Sequence, residues 1–322
     1  MTSSAGSDPR SQAPSPHGRP NRELPSSPIR PAEDSRPVWW LRLVAALPLG
    51  ALYLLASLIG FVTGRVFPYR EAVVRENLSI AFPELDAPGL RALMRSFYAG
   101  FAQVLVEIVK AASMPAASLA RHVEIANIEL IRNELALGTP VIIVAAHQCN
   151  WEWFQLALSH GLGYPLDAAY KPLVNPWAER EMFKLRSRFG SRLVPADALL
   201  PDILQRRKIV RAICMIADQE PTKSEHKHWL RFLNRDTAFF VGTEEIARVT
   251  RYPVFFAGMR RLARGRYRME FATLAPGGEI TAPGELTERY ARLVEAQIRA
   301  SPPDWPWSHK RWRLKKSLYG NR

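Results

Sequence analysis

The stretch Pro140-Val141-Ile142-Ile143-Val144-Ala145-Ala146-His147-Gln148-Cys149-Asn150-Trp151-Glu152 joins two kinds of local pattern. Its first seven residues form an apolar, β-branched run too short for a buried helix, which predicts a strand over 140–146. Asn150 is a good N-cap and predicts a helix from that point. Glu152 then falls in the first turn, with Trp153, Phe154, Leu156, Ala157 and Leu158 behind it. The strand therefore ends by presenting His147. On one continuous helix, residues five apart diverge; across a strand-to-helix turn, His147 and Glu152 are expected to meet. A carboxylate at a helix N-terminus stays ionised, ready to orient an imidazole. Strand ends of this kind are where open α/β sheets place their chemistry.

Further strand patterns lie at 166–170, 192–194, 211–217, 253–258 and 267–274. Helical patterns lie at 151–160, 177–189, 197–207, 243–250 and 285–299. Their alternation predicts the α/β class: a single layered domain with a central, mostly parallel sheet flanked by helices. Gly265, between the last two strands, predicts a hairpin there and hence a mixed sheet.

Upstream the composition changes twice. Residues 1–37 are rich in Pro and Ser and poor in large apolar side chains, so a disordered tail is expected. Leu43 to Val62 then runs without a charge between Arg42 and Arg65, led by Trp39 and Trp40. That run predicts a membrane-anchor helix within 38–65, longer and later than a secretory signal. Arginines on both sides leave its orientation open, and Pro48 leaves room for a kinked or interfacial helix. Ala56, Gly60 and Gly64 form a small-residue row of the kind used in helix pairing. Residues 66–322 are the expected catalytic domain, opening with a helical stripe from Leu90 to Ile108 that predicts core packing. Two cysteines argue against a disulfide framework. A net charge of +14 implies an anionic partner, and no nucleic-acid-binding motif accompanies it.

With its strand context, His147-x-x-Asn150-Trp151-Glu152 resembles the His-x4-Glu motif of the lysophospholipid-acyltransferase-like superfamily, and in particular the late lipid A acyltransferases. Five further elements carry the resemblance in family order, from about Val38 to Lys316. Arg75-x-Asn77-Leu78 leading to Phe82-Pro83 is the first. Lys171-Pro172-Leu173-Val174-Asn175-Pro176 is the second, with Lys171 where many members have arginine, so the bidentate fork is lost. Asp218-Gln219 follows, then the aromatic stretch from Trp229 that leads into Gly242-Thr243. Trp307-x-His309-x-Arg311-Trp312-Arg313 closes the series. Basic residues mixed with tryptophans at that terminus suit an anionic bilayer surface.

The resemblance implies an O-acyltransferase at the bacterial inner (plasma) membrane, with the catalytic domain on the cytoplasmic side. It would move a fatty acyl chain from a thioester, acyl carrier protein or acyl-CoA, to a hydroxyl of a lipid A precursor or related glycolipid. His147 is the expected general base and Glu152 its orienting acid. Asn150, Lys171, Asp218, Gln219, Gly242 and Thr243 are the expected substrate-binding residues. The acceptor supplies the nucleophile, so no cofactor and no metal is expected, and Cys149 is expected to be inert. His226-Lys227-His228 has metal-usable spacing but lacks a third ligand nearby. Other glycolipids, an aminolipid or a lysophospholipid are alternative acceptors. A non-catalytic membrane lipid-binding module is the alternative from another class.

Overall fold

The computed structural model describes residues 39–67, 69–223 and 226–316. The expected Pro/Ser tail, residues 1–37, lies outside the described residues. Elements in chain order begin with helices α1 (Trp39–Ala46), α2 (Leu49–Phe61), α3 (Glu71–Ala81), α4 (Ala87–Ala111) and α5 (Ala116–His122). Next come β1 (Val123–Ile125), α6 (Glu129–Ala136), β2 (Val141–Ala145), α7 (Trp151–Gly161), β3 (Leu166–Tyr170), α8 (Pro176–Arg186) and β4 (Arg192–Pro195). The chain continues through α9 (Leu199–Gln205), β5 (Ala212–Ile216), β6 (Lys227–Phe232), β7 (Arg235–Phe240) and α10 (Gly242–Thr250). It ends with β8 (Val254–Ala263), β9 (Arg266–Ala275) and α11 (Glu285–Ala300).

Seven strands form one sheet in the order β1-β9-β8-β2-β5-β3-β4. Every pairing is parallel except the β8–β9 hairpin, turned at Gly265, as its position predicted. Alternate residues of the central strands feed two separate cores. Ile142, Val144, Ile213 and Met215 point into one, with side chains from α3, α4, α10 and α11. Val141, Ile143, Cys214 and Ala212 point into the other, with α5, α6 and α7. A parallel sheet buried on both faces needs such covering layers, and its strands read as continuous apolar runs. The expected α/β layered domain is what forms.

Three elements differ from the sequence expectation. The edge strand β1 has only three residues, too few for a periodic pattern. The β6–β7 hairpin forms a second, two-stranded antiparallel sheet, turned through Leu233 and Asn234 at positive φ. Leu-Asn lacks the glycine that usually marks such a turn. The apolar segment, expected as one helix, breaks at Leu47-Pro48 into α1 and α2 and ends in a π-helical turn, Val62–Val66.

Helix α2 does not stand apart. Leu52 and Ala56 pack with Ala102 and Val106 of α4 in their own small cluster. Lys110 Nζ donates to Ala45 O at 2.9 Å at one end of this pairing, and Gly64 lies against Tyr98 at the other, so the helices run antiparallel. The row Ala56, Gly60, Gly64 thus pairs with a helix of the same chain. A Cβ at Gly60 would lie 3.1 Å from Ala99 Cα, a backbone atom that cannot swing aside. Gly60→Leu is expected to destabilise the detergent-solubilised protein by about 1–3 kcal/mol, the usual cost of overpacking, read as a lower unfolding midpoint.

Candidate active site

Strands β2 and β5 are parallel neighbours, with Ala145 level with Ile216. Each chain then runs two residues further, which brings His147 and Asp218 out side by side at the C-terminal edge of the sheet. His147 Nδ1 lies 2.6 Å from Asp218 Oδ1, and the backbone N–H of His147 donates to Asp218 Oδ2 at 3.1 Å. The indole N–H of Trp305 donates to the same Oδ2 at 2.8 Å. Asp218 is fully buried, while the His147 side chain keeps 18% of its surface exposed. Burial alone would raise the Asp218 carboxyl. The imidazole, the indole N–H and the backbone N–H of His147 outweigh it and hold the carboxyl below its usual value. An Nδ1 proton shared with an ionised carboxylate leaves the Nε2 lone pair facing outward. The Gln219 amide lies 3.3 Å from Nε2, and the Trp151 ring meets the imidazole edge-on with centroids 5.3 Å apart.

The spacing argument placed Glu152 on this imidazole; the carboxylate found there is Asp218. Asn150 Oδ1 caps α7 by accepting from Trp153 N at 3.0 Å, so Glu152 occupies the second helical position. It shares a face with Gln155 and Ser159, three and seven residues on. That face meets the end of α8: Gln155 donates to Arg186 O at 3.1 Å and Ser159 to Phe189 O at 2.8 Å. Glu152 is accordingly buried and accepts both Nε and Nη2 of Arg186, at 2.9 and 2.5 Å. Its remaining contact is the Trp151 indole N–H at 3.1 Å, which makes it a brace behind the tryptophan that flanks His147.

The other expected binding residues divide. Gln219 is at the imidazole, and Lys171 is exposed just beyond β3. Asn150 is fully buried, and its amide donates to Glu107 Oε2 at 2.9 Å, so it is a cap and a brace rather than a ligand group. Gly242 and Thr243 are buried at the start of α10, where the threonine hydroxyl donates to Met215 Sδ at 3.1 Å. Cys149 takes the left-handed φ of 56° that turns the chain from strand to helix. Its thiol is buried, which pushes it well above the ordinary value, and an acidic neighbour, Asp304, adds to the shift. His226 and His228 each face a different glutamate, Glu245 and Glu288.

Of the C-terminal Trp-and-basic segment expected at a membrane surface, the structure withdraws the tryptophans and Arg311, while Lys310, Arg313, Lys315 and Lys316 stay exposed. Trp305, Trp307, Arg311 and Trp312 are buried beneath the site. Asn77 donates to the carbonyls of Trp307 and His309, at 2.9 and 3.2 Å, which explains the Arg-x-Asn-Leu element as a tie between α3 and this segment. Arg311 stacks on Phe239 at 4.7 Å and donates to Ala238 O at 2.8 Å. Sequence reasoning had no signal for this, because tryptophan and arginine suit a buried stack as well as an interface.

His309 carries a consequence for pH. Burial, and then the Arg311 charge, lower it from 6.5 to about 4. A histidine depressed in the fold binds its proton more readily when unfolded, so stability falls as pH drops from about 6.5 toward 4. His309→Gln is expected to flatten that slope, checked by denaturant unfolding midpoints across this range.

A small crevice of about 10 Å³, behind Trp151 and Trp305, is walled by Phe97, Phe101 and Val104 of α4 and by the Arg261–Asp304 ion pair. At the chemical level the site offers an outward-facing imidazole base, a buried acid behind it and the Trp151 ring beside it. The profile of the bacterial lipid A biosynthesis acyltransferase family matches residues 34–314. The chain is similar to the lipid A biosynthesis palmitoleoyltransferase of Escherichia coli (strain K12), 23% identical over 287 residues, 88% of this chain and 92% of the relative. A lipid A biosynthesis acyltransferase of Shigella flexneri matches with the same values. The lipid A biosynthesis lauroyltransferase of Escherichia coli (strain K12) is 25% identical over 281 residues, 85% of this chain and 89% of the relative.

Proposed function

The chain belongs to the bacterial lipid A biosynthesis acyltransferases, and from that membership we propose that it moves a fatty acyl group from a thioester to a hydroxyl of a lipid A precursor, with His147 as general base. The observation that carries the assignment is Asp218 Oδ1 on His147 Nδ1 at 2.6 Å, which turns Nε2 toward the open side of the site. A hydroxyl is a poor nucleophile at neutral pH. Nε2 takes its proton as the oxygen attacks the thioester carbonyl, and Asp218 stabilises the imidazolium that results. The C–O bond forms, the C–S bond breaks, and the proton passes from the imidazolium to the departing thiolate. Gln219 stands where it can steady Nε2 until the acceptor arrives.

The acceptor is a lipid, and helix α2 supplies a seat for it. With the π-helical turn that follows it, α2 forms an 18-residue apolar stretch, Leu49–Val66, about 27 Å long and near the hydrocarbon thickness of a bilayer. Leu54, Leu58 and Phe61 face outward, while Leu52, Ala56 and Gly60 are held on α4. Long enough to span, the helix is nevertheless pinned along the catalytic domain by α4, which favours its lying lengthwise in one leaflet over crossing both, with the active-site edge of the sheet at the headgroups. The donor in this proposal is acyl carrier protein, with acyl-CoA as the test's comparison.

Purified protein would be given each thioester in turn with a lipid A precursor bearing hydroxyacyl chains. The expected product, by mass spectrometry, is the precursor heavier by one acyl group. Transfer to a lysophospholipid in preference to that precursor, or thioester hydrolysis alone, would overturn the proposal.

A further inference from the structure

From the end of β3 into the first turn of α8 the chain makes a finger whose seven residues, 171–177, are all exposed, and at its tip Val174 reaches 102% of its reference exposure. Leu173 and Trp177 add apolar surface on either side. Such a run in water is unfavourable, yet the finger is built rather than loose. Asn175 Oδ1 accepts from Trp177 N and Ala178 N at 3.0 and 3.1 Å, and Leu173 N donates to Glu179 Oε2 at 2.7 Å. Pro172 and Pro176 have no N–H to satisfy. Within the finger the N–H groups of Leu173 and Trp177 are thus already paired, which lowers part of the cost of leaving water.

Three features of its position point to one occupant. Trp177 stacks on Trp40 of α1 with centroids 6.0 Å apart, so the finger adjoins the head of the apolar N-terminal helices. It leaves the C-terminal edge of the sheet, the same edge that carries His147 and Asp218. Strands β2, β5 and β3 are consecutive, which sets the finger about 10 Å from His147 at the usual strand spacing. Lys171, an exposed cation, stands at its base, and a cation beside an apolar finger suits anionic headgroups.

We propose that the Leu173–Val174 finger is a second membrane insertion point, dipping into the leaflet of a bilayer containing anionic lipid and fixing the tilt at which the active site meets its acceptor. This rests on the reading that α2 is embedded in the same leaflet. One insertion leaves the domain free to rotate about it; a second, across the active-site edge, removes that freedom.

Depth-sensing fluorescence separates the two claims. Single cysteines at Val174, Leu58 and Leu137 would be labelled with an environment-sensitive nitrobenzoxadiazole, in the full chain reconstituted into phosphatidylcholine–phosphatidylglycerol vesicles. Cys149 and Cys214 are buried and stay unlabelled under native conditions. Leu58 reports α2; Leu137, 81% exposed, sits before the opposite end of β2. The expected result is a blue shift, and loss of emission on brominated acyl chains, at Val174 and Leu58 but not at Leu137. Lipid contact at Leu58 with Val174 in water overturns the finger and leaves the anchor standing. Water at both sites overturns the two together, and lipid contact at Leu137 as well as Val174 overturns docking through one edge.

Discussion

Asp218→Asn is expected to lower kcat about a thousandfold, roughly 4 kcal/mol of transition-state stabilisation, with little change in KM. The substitution is nearly isosteric, so the contacts that hold His147 in place survive. An asparagine there can offer its N–H to Nδ1, which drives the imidazole proton to Nε2, the atom that must accept the acceptor's proton. The imidazolium also loses the buried negative charge that stabilises it, an effect large in hydrolases built on the same logic. Steady-state kinetics on the lipid acceptor would check this; a loss below about tenfold would remove Asp218 from the mechanism. Acid unfolding gives an independent readout. A carboxyl held below its unfolded value stabilises the fold above about pH 4, and that contribution is lost as pH falls through the folded value. The asparagine variant should lack this part of the acid slope. Glu152→Gln should behave differently, losing stability through a weakened Arg186 pair while keeping the shape of the pH–rate profile.

The contrast between these two carboxylates shows what the sequence could and could not convey. Strands with continuous apolar runs, such as 141–145 and 212–216, announce themselves because burial on both faces leaves no room for polar residues. The cap at Asn150 follows from local side-chain chemistry and was legible on its own, whereas the Asn175 cap that starts α8 at Pro176 was not read from the sequence. The identity of the acid on His147 was not. Spacing says that Glu152 is five residues on, across a strand-to-helix turn, but its direction depends on where the helix is clamped, and Arg186, 34 residues on, provides the clamp. Asp218 is 71 residues away and reaches His147 only because β5 lies next to β2, a fact of strand order that no local pattern carries. The C-terminal tryptophans were misread for a related cause. Their burial is decided by α3 and by the β6–β7 hairpin, whose strands lack a strong turn signal.

His147→Ala is expected to abolish transfer to within about one ten-thousandth of the wild-type rate, the upper end of what a positioned base contributes. The side chain packs against Trp151 but is not part of either core, so folding and membrane association should persist. A purified variant with near-normal turnover would end the base assignment. Combining it with Asp218→Asn makes the stronger experiment. If Asp218 works only through the imidazole, the double variant should be no slower than His147→Ala alone, because groups that act as a unit are not additive. Two independent losses that multiplied would mean that Asp218 holds substrate or supports the fold in its own right. The geometry favours the first outcome: the three donors that Asp218 accepts, from the imidazole, the His147 backbone and Trp305, all converge on a carboxylate closed to solvent, which leaves the imidazole as its route to the reacting atoms.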